Sequence, residues 1–511
     1  MAFSLPVSRS PLFYGCALVL VCALLLGGGT HSGFLSDILL QAAALPLLAA
    51  ALWQILQHPT EAPPKGALFF CAAFVAVILV QLVPLPPAIW TALPHRHELL
   101  ATYRLLGTPP PWRPLSVDPA ATWASLLSLT VPLAVFLGAV QLGGPDRRTL
   151  TVVVLCFAVA EVFLGLSQIA LGSGAIRFYE FSNQTEATGF FANRNHFAAF
   201  LYCALLFAAV WAVEASLSSP RASSSRDRLN QQTRYAIGIA AIFTLMIALI
   251  AAQAMARSRA GLALTIAAML GGLALAVRDR RQIEGISSTK LLGAAIAVAV
   301  MLAGQFALFR IMQRFGTDPL QNARVAFGGT TLEAATGLMP AGAGMGTFVP
   351  VFGLFEKPAT LLPNMFANRA HNDALEFWLE AGAAALLLGA VFVSWFVWRA
   401  VAAWRAAADD SNHLDVALTR AATLIVGLLL AHSLVDYPLR TGAMAAVFAL
   451  ACALLIAPSR ALGAKAAGKH LAARQVVSSA TQQRPDEAPA TPAPIEWTPN
   501  VDWPDEWQRR S

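Results

Sequence analysis

Two short polar signatures stand in an otherwise oily chain: Thr188-Gly-Phe-Phe-Ala-Asn-Arg-Asn-His-Phe-Ala-Ala-Phe-Leu201 and His371-Asn-Asp-Ala-Leu-Glu376, each at the edge of an apolar run. Ionisable groups are costly at membrane depth unless they are paired or face water, so clusters of this kind mark a candidate site. Further polar residues belong with them: the turn Arg257-Ser258-Arg259, the arginines Arg310, Arg314 and Arg324, and Asp436-Tyr437-Pro438. These types suit chemistry on a diphosphate. Guanidinium groups bind phosphate oxygens bidentately and keep their charge when buried, which stabilises a leaving diphosphate. A histidine titrating near neutrality can take the proton of an attacking hydroxyl, general-base work of about 10²- to 10⁴-fold. Asp373, Asn193 and Asn195 would orient the imidazole or hold sugar hydroxyls. The spans and loops lack an Asp-x-Asp pair to hold a divalent cation with a nucleotide sugar. A metal-independent, cofactor-free reaction on a lipid-linked donor fits better.

The elements that must position these groups follow from composition. Of 511 residues, 57% are hydrophobic and only 12% charged, with mean hydropathy +0.61, which implies an all-α polytopic membrane protein. Apolar stretches of spanning length fall at 11–28, 35–57, 66–90, 121–142, 149–171, 196–217, 235–255, 260–277, 290–309, 375–398, 419–437 and 442–458, about twelve in all. An uncleaved first helix is expected, because Gly27-Gly28-Gly29-Thr30-His31 offers no small-x-small cleavage site.

Lys and Arg are retained on the cytoplasmic side of short loops. With the N-terminus inside, Lys65, Arg147, Arg148, Arg221, Arg226, Arg228, Arg234, Arg278, Arg280, Arg281, Lys290, Arg399 and Arg405 all fall inside. The segment 91–120 argues against this orientation, since it is placed outside yet carries Arg96, Arg104 and Arg113; it reads as a Pro-rich, amphipathic piece lying on the surface. The basic balance is therefore explained by retention signals, and no nucleic-acid partner is expected. All six cysteines fall in apolar spans and read as small core residues.

In this orientation Arg, His, Asn and Asp fall on the outer face in 172–195, the turn at 257–259, the long loop 310–375 with the His371 block that closes it, and the turn at Asp436. The chain divides into N-terminal spans with an external amphipathic segment (1–120), a transmembrane core including loop 310–375 (121–458), and a cytoplasmic tail (459–511). The tail is expected to be largely disordered. Its close, with Trp497, Trp503 and Trp507, is either a docking peptide for a cytoplasmic partner, an interfacial anchor or an idle end.

At these residues the chain resembles the O-antigen ligase superfamily, which also holds O-antigen and exopolysaccharide polymerases. Gly189–Leu201 resembles the family's Asn-x-Asn-His block, Ser258-Arg259 its Ser-Arg pair, and Arg324 the arginine heading its periplasmic segment. Gly342-Ala-Gly-Met-Gly-Thr-Phe348, His371-Asn372-Asp373 and His432-Ser-Leu-Val-Asp436-Tyr-Pro-Leu439 resemble its later motifs in order. The likeness covers roughly residues 120–450. Two positions depart: Phe327-Gly328 stands where a tryptophan is common, and Arg194 where proline is frequent, adding either a cation to the site or a surface charge.

The resemblance implies a multispan, lipid-donor (GT-C-like) glycosyltransferase of the bacterial inner membrane with its active site facing the periplasm. A glycan on undecaprenyl diphosphate would pass to a hydroxyl of lipid A-core or of a lipid-linked glycan, with inversion. Arg259 and Arg324 would bind the diphosphate and His371 would activate or position the acceptor. Asn193, Arg194, Asn195, His196, Arg257, Asn372, Asp373 and Asp436 would line the substrate site. Ligase and polymerase share this donor chemistry; the ligase is favoured slightly.

Bland readings stand beside several of these. His371 can bond the loop to a helix start, His196 can satisfy a helix terminus, and Arg257 can sit at headgroup level. Glu161 with Gln168 is either a proton relay or an interhelical hydrogen bond. Residues 342–346 read as a tight turn, since they lack the Gly-Lys-Ser/Thr ending of a phosphate loop. A transporter or flippase is the rival class, but its ionisable groups would sit at the midplane, which is nearly empty here.

Overall fold

The computed structural model describes residues 9–457 apart from 31–32, 34, 61, 180–184, 218–224, 281–303, 305–306, 308–318, 358–366 and 408–411. The chain is an all-α, multi-pass membrane protein. Among the described residues eight helical stretches are long and apolar enough to cross a membrane: Leu35–Gln57, Pro119–Gln141, Gly144–Gly174, Arg194–Ala215, Ala236–Ala256, Arg259–Arg278, Ala383–Arg405 and His413–His432. Three shorter apolar helices, Pro11–Leu26, Lys65–Gln81 and Gly442–Leu454, fall on further expected spans. The expected span 290–309, the arginines Arg310 and Arg314 and the tail lie outside the described residues.

Helices are numbered α1 (Pro11–Leu26), α2 (Leu35–Gln57), α3 (Lys65–Gln81), α4 (Pro87–Trp90), α5 (His97–Leu105), α6 (Pro119–Ser128), α7 (Thr130–Gln141), α8 (Gly144–Leu171), α9 (Arg194–Leu217), α10 (Ser225–Ala256) and α11 (Arg259–Arg280). They continue as α12 (Pro319–Gly337), α13 (Phe348–Phe355), α14 (Asp373–Ala381), α15 (Ala383–Arg405), α16 (His413–His432) and α17 (Gly442–Leu454).

Two expected spans are corrected. The spanning helix in the stretch 66–90 ends at Gln81, because Pro84, Pro86 and Pro87 follow; Pro84–Leu85 pairs antiparallel with Arg113–Pro114, and the short α4 comes after it. The stretch 375–398 is two helices, since Gly382 takes φ +57 and separates α14 from α15. The spanning piece is therefore 383–405, and Glu376 and Glu380 lie ahead of it. The external segment 91–120 includes the exposed helix α5, and two of its three arginines have internal work: Arg96 donates to the Leu115 carbonyl and Arg113 to the Tyr103 hydroxyl, 2.9 Å. Among its described residues the long loop 310–375 carries the helices α12 and α13, and Phe327, Leu338, Phe348 and Phe352 are buried there in a small core with Leu379 of α14.

A hydrocarbon solvent gives no partner to an unpaired backbone group, so both ends of the bundle must be closed by the protein. At one end the closures are loop to loop. Ala443 N–H donates to Gly27 O (3.0 Å), Ala192 N–H to Gly28 O (3.0 Å), Ala187 N–H to Met255 O (3.2 Å) and Asp373 N–H to Ser433 O (2.8 Å). Gln81 at the end of α3 donates to Glu380 O (3.0 Å) and accepts from Met345 N–H (2.9 Å).

At the other end arginines close the helix C-termini, where carbonyls carry partial negative charge. Buried Arg147, in the first turn of α8, donates to the carbonyls of Ala139 (2.9 Å), Val140 (2.5 Å), Ala453 (3.2 Å) and Ile456 (2.5 Å), which end α7 and α17. Arg399 donates to Leu455 O, and Arg148 grips Asp415 bidentately at 2.7 and 2.9 Å. Arg147→Met strips donors from four carbonyls at once. Its expected cost is about 2–4 kcal/mol, read as a lowered thermal midpoint of the detergent-purified protein.

Candidate functional site

The loop before α9 is built by α8. The Gln168 side chain accepts from Thr188 N–H (2.8 Å) and Gly189 N–H (2.9 Å) and returns a bond to Gly189 O (3.0 Å). Glu161 accepts from Phe190 N–H at 3.1 Å. Gly189 has φ +57, and a Cβ there would lie 1.7 Å from the Glu161 carboxylate. Glu161 and Gln168 therefore act as anchors of this block, in helix-to-loop bonds. Asn193 then opens α9 by accepting from Asn195 N–H at 2.8 Å.

That opening aims Asn195 and His196 at Asp436, which lies in the turn between α16 and α17 and is fully buried. The Asn195 amide donates to the Asp436 carboxylate, the Arg324 guanidinium on α12 stands 3.7 Å from it and His196 Nε2 3.9 Å. Tyr437 N–H closes the far oxygen at 2.9 Å. Burial would raise the Asp436 carboxyl, but Arg324 and the imidazoles of His196, His371 and His432 outweigh it and hold the group down at about 2. The site end of the bundle therefore carries a fixed anion with the Arg324 cation beside it.

The Tyr437 ring stands between two imidazoles, edge to face with His196 at 4.9 Å and with His371 at 5.0 Å, both at 86°. Its neighbour His432 meets the Tyr202 hydroxyl through Nδ1 at 3.1 Å. His371 is half-buried, in a left-handed conformation with φ +52. Its Nδ1 lies 3.1 Å from the Arg369 carbonyl. A carbonyl only accepts, so Nδ1 carries the hydrogen and Nε2 presents the lone pair. Burial and Arg324 lower the His371 pKa from its ordinary value, against the opposing pull of Asp436, so the ring is neutral at pH 7. Phe327 packs beside it, 6.2 Å between ring centres, as a wall shared with Phe352.

Five of the residues named from sequence, Asn195, His196, Arg324, His371 and Asp436, thus come together from four separated segments, with Asn193 at their edge. The others stand further out. Asn372 caps α14 through Leu375 N–H (3.0 Å) and donates to Leu434 O (2.9 Å). Asp373 accepts from the Ser433 hydroxyl (2.7 Å) and Leu439 N–H (3.2 Å), bonds that tie two loops. Arg194 pairs with Glu186 at 2.8 Å. Arg257, at φ +49, and Arg259 flank Ser258, whose hydroxyl accepts from Gly261 N–H (3.0 Å) as α11 starts; a Cβ on Gly261 would meet Ala198, which puts this turn beside the first turns of α9.

The amides of the glycine-rich stretch are already spent: Gly342 N–H goes to Leu338 O, Ala343 to Leu379 O and Gly344 to Glu380 O, all within 3.0 Å. It is a packing turn with no free cradle for a phosphate. Among the described residues no group of three or more His, Cys, Asp or Glu side chains is arranged to hold a metal ion. Tyr437 and His432, quoted above only inside a motif, belong to the site through their contacts. Arg369, Glu376, Glu380 and Arg440 surround the His371 loop; Glu376 closes the second polar signature, whereas Arg369, Glu380 and Arg440 carried no signal in the sequence beyond their charge. No protein-family model matches the chain, and no curated protein matches it.

The Glu161 anchor gives a clear expectation. Glu161→Gln keeps an acceptor for Phe190 N–H and should leave stability and function near wild type, whereas Glu161→Leu should cost about 1–3 kcal/mol. A proton relay would instead be abolished by the glutamine, so thermal shift and complementation of the two variants separate the roles.

Proposed function

We propose that this protein transfers a glycan from undecaprenyl diphosphate to an acceptor hydroxyl at the periplasmic face of the bacterial inner membrane, in the manner of an O-antigen ligase. A twelve-span, lipid-donor (GT-C-like) glycosyltransferase architecture goes with this reading. The observation that carries it is the gathering of Arg324, His196, Asn195 and His371 around the buried Asp436 at one end of the bundle.

In this reading His371 Nε2 takes the proton of the acceptor hydroxyl as its oxygen attacks the anomeric carbon. The bond from that carbon to the diphosphate breaks, and the carrier leaves as undecaprenyl diphosphate with inversion. Arg324, anchored from below by Asp436 with its side chain 30% exposed, offers its outer edge to the leaving charge. In the same reading Arg257 and Arg259 of the α10–α11 turn contact the diphosphate, and Asn193, Arg194, Asn372 and Asp373 contact the glycan or the acceptor. Membrane lipids hold the carrier; lipid A-core or a lipid-linked glycan supplies the acceptor.

The test is the surface glycan of a deletion strain complemented with wild type, His371→Ala, Arg259→Ala or Arg324→Ala. Each substitution should abolish complementation, with long lipid-linked chains accumulating for a ligase and single repeats for a polymerase. Full complementation by all three would favour a transporter. With purified protein, His371→Gln should lower donor turnover about 10²- to 10⁴-fold. The base must be neutral and its pKa is lowered, so wild-type turnover should fall as pH drops through a midpoint below about 6.5, the free-imidazole value. That acid limb should vanish in His371→Gln.

A further inference from the structure

Beyond the transfer chemistry, and resting on that reading, we infer that Arg440 is a positioning residue that sets the His371 imidazole by pinning the loop on both sides of it. Arg440 lies in the short turn Pro438–Arg440, and its guanidinium reaches three carboxylates of α14: Glu380 at 2.7 Å, Glu376 at 3.6 Å and Asp373 at 3.6 Å. Glu376 and Glu380 are fully buried and Arg440 nearly so.

Each carboxylate passes the constraint on. Glu376 holds the Arg369 guanidinium at 2.9 Å and the Ala370 N–H at 2.9 Å, ahead of His371. Asp373 holds Ser433 and Leu439, and its own N–H donates to Ser433 O, behind His371. The loop is clamped at 369–370 and at 372–373, and His371 between them takes the left-handed backbone. The Arg369 carbonyl that fixes the imidazole tautomer belongs to the clamped part.

The charge count makes Arg440 the keystone of this clamp. Among the described residues three buried carboxylates face two guanidinium groups, of which Arg440 reaches all three. Without it, Asp373, Glu376 and Glu380 lose their shared counter-charge, so they repel one another or take up protons with Arg369 alone to offset them, and the bonds that fix the first turn of α14 must rearrange. A displacement of about 1 Å at a reacting group costs on the order of 10²-fold in rate.

Two variants test this in the full-length protein in lipid nanodiscs. Arg440→Lys keeps a charge and loses the fork. The double variant Arg440→Met with Glu380→Met removes one charge of each sign, leaving the cluster's net charge as it was, and serves if the lysine variant does not fold. Two readouts are taken: kcat and KM for an undecaprenyl-diphosphate-linked glycan, and the titration of His371 by ¹⁵N NMR of its ring.

The groups facing His371 are Asp436, Tyr437, Arg324, His196, Glu376 and Arg369, and neither variant changes any of them. The expected result is a kcat lower by about 10- to 100-fold with KM within a few-fold, and a His371 midpoint moved up toward about 6.5 as the ring gains solvent. Unchanged kcat and an unchanged His371 midpoint in a folded variant would overturn the inference and leave the proposed function standing. A moved midpoint in a protein whose wild type turns over no donor would uphold the positioning role and sink the transfer reaction.

Discussion

A carboxylate removed from water must be met by positive charge and hydrogen-bond donors, or it does not stay ionised. Asp436 is fully buried and stays ionised, and the arrangement of the site end follows from that demand. It draws Asn195 and His196 from α9, Arg324 from α12, and the turn that carries Tyr437. The Tyr437 ring then spaces His196 from His371, so the two imidazoles share one aromatic neighbour. The same anion that organises the protein also sets the field in which His371 titrates.

Arginine does two different jobs at the two ends of the bundle. At the end away from the site, Arg147 and Arg399 donate N–H hydrogen bonds to carbonyls that terminate helices, so the charge seals backbone. At the site end, Arg324, Arg369 and Arg440 face carboxylates, so the charge is matched and shaped. Counting basic residues by loop treats these as equivalent. Arg96 and Arg113, in the segment whose basic residues conflict with the retention rule, are each spent on an internal acceptor of that segment.

Helices were legible because long apolar runs have few other solutions in a bilayer. Breaks were less so. Pro84 and Gly382 are visible in the sequence, but their consequences were merged into longer spans, since apolar length alone does not register a change of backbone direction. In the site, Asn195, His196, Arg324, His371 and Asp436 were legible as polar types that an apolar context does not tolerate idly. Asp373 and Asn372 were legible as residues and not as contacts, because their partners lie 60 or more residues away at Ser433 and Leu434. Glu376 was legible as the end of the second polar signature and not as a contact, and Glu380 and Arg440 were missed for a related reason: the ion pair between them joins residues 60 apart in sequence.

The hairpin of α16 and α17 completes both ends of the bundle at once. Asn195 waits 241 residues for Asp436, and Arg147 waits 309 for Ile456. At about 5–20 residues per second, the first interval alone is roughly 10–50 s of synthesis. Throughout that time the Arg147 guanidinium has only the α7 carbonyls of Ala139 and Val140 among its four acceptors, and the Asn195 amide at the other end lacks its carboxylate. Biogenesis therefore ends in a single latching event, in which one late hairpin quenches polar groups on opposite sides of the membrane together.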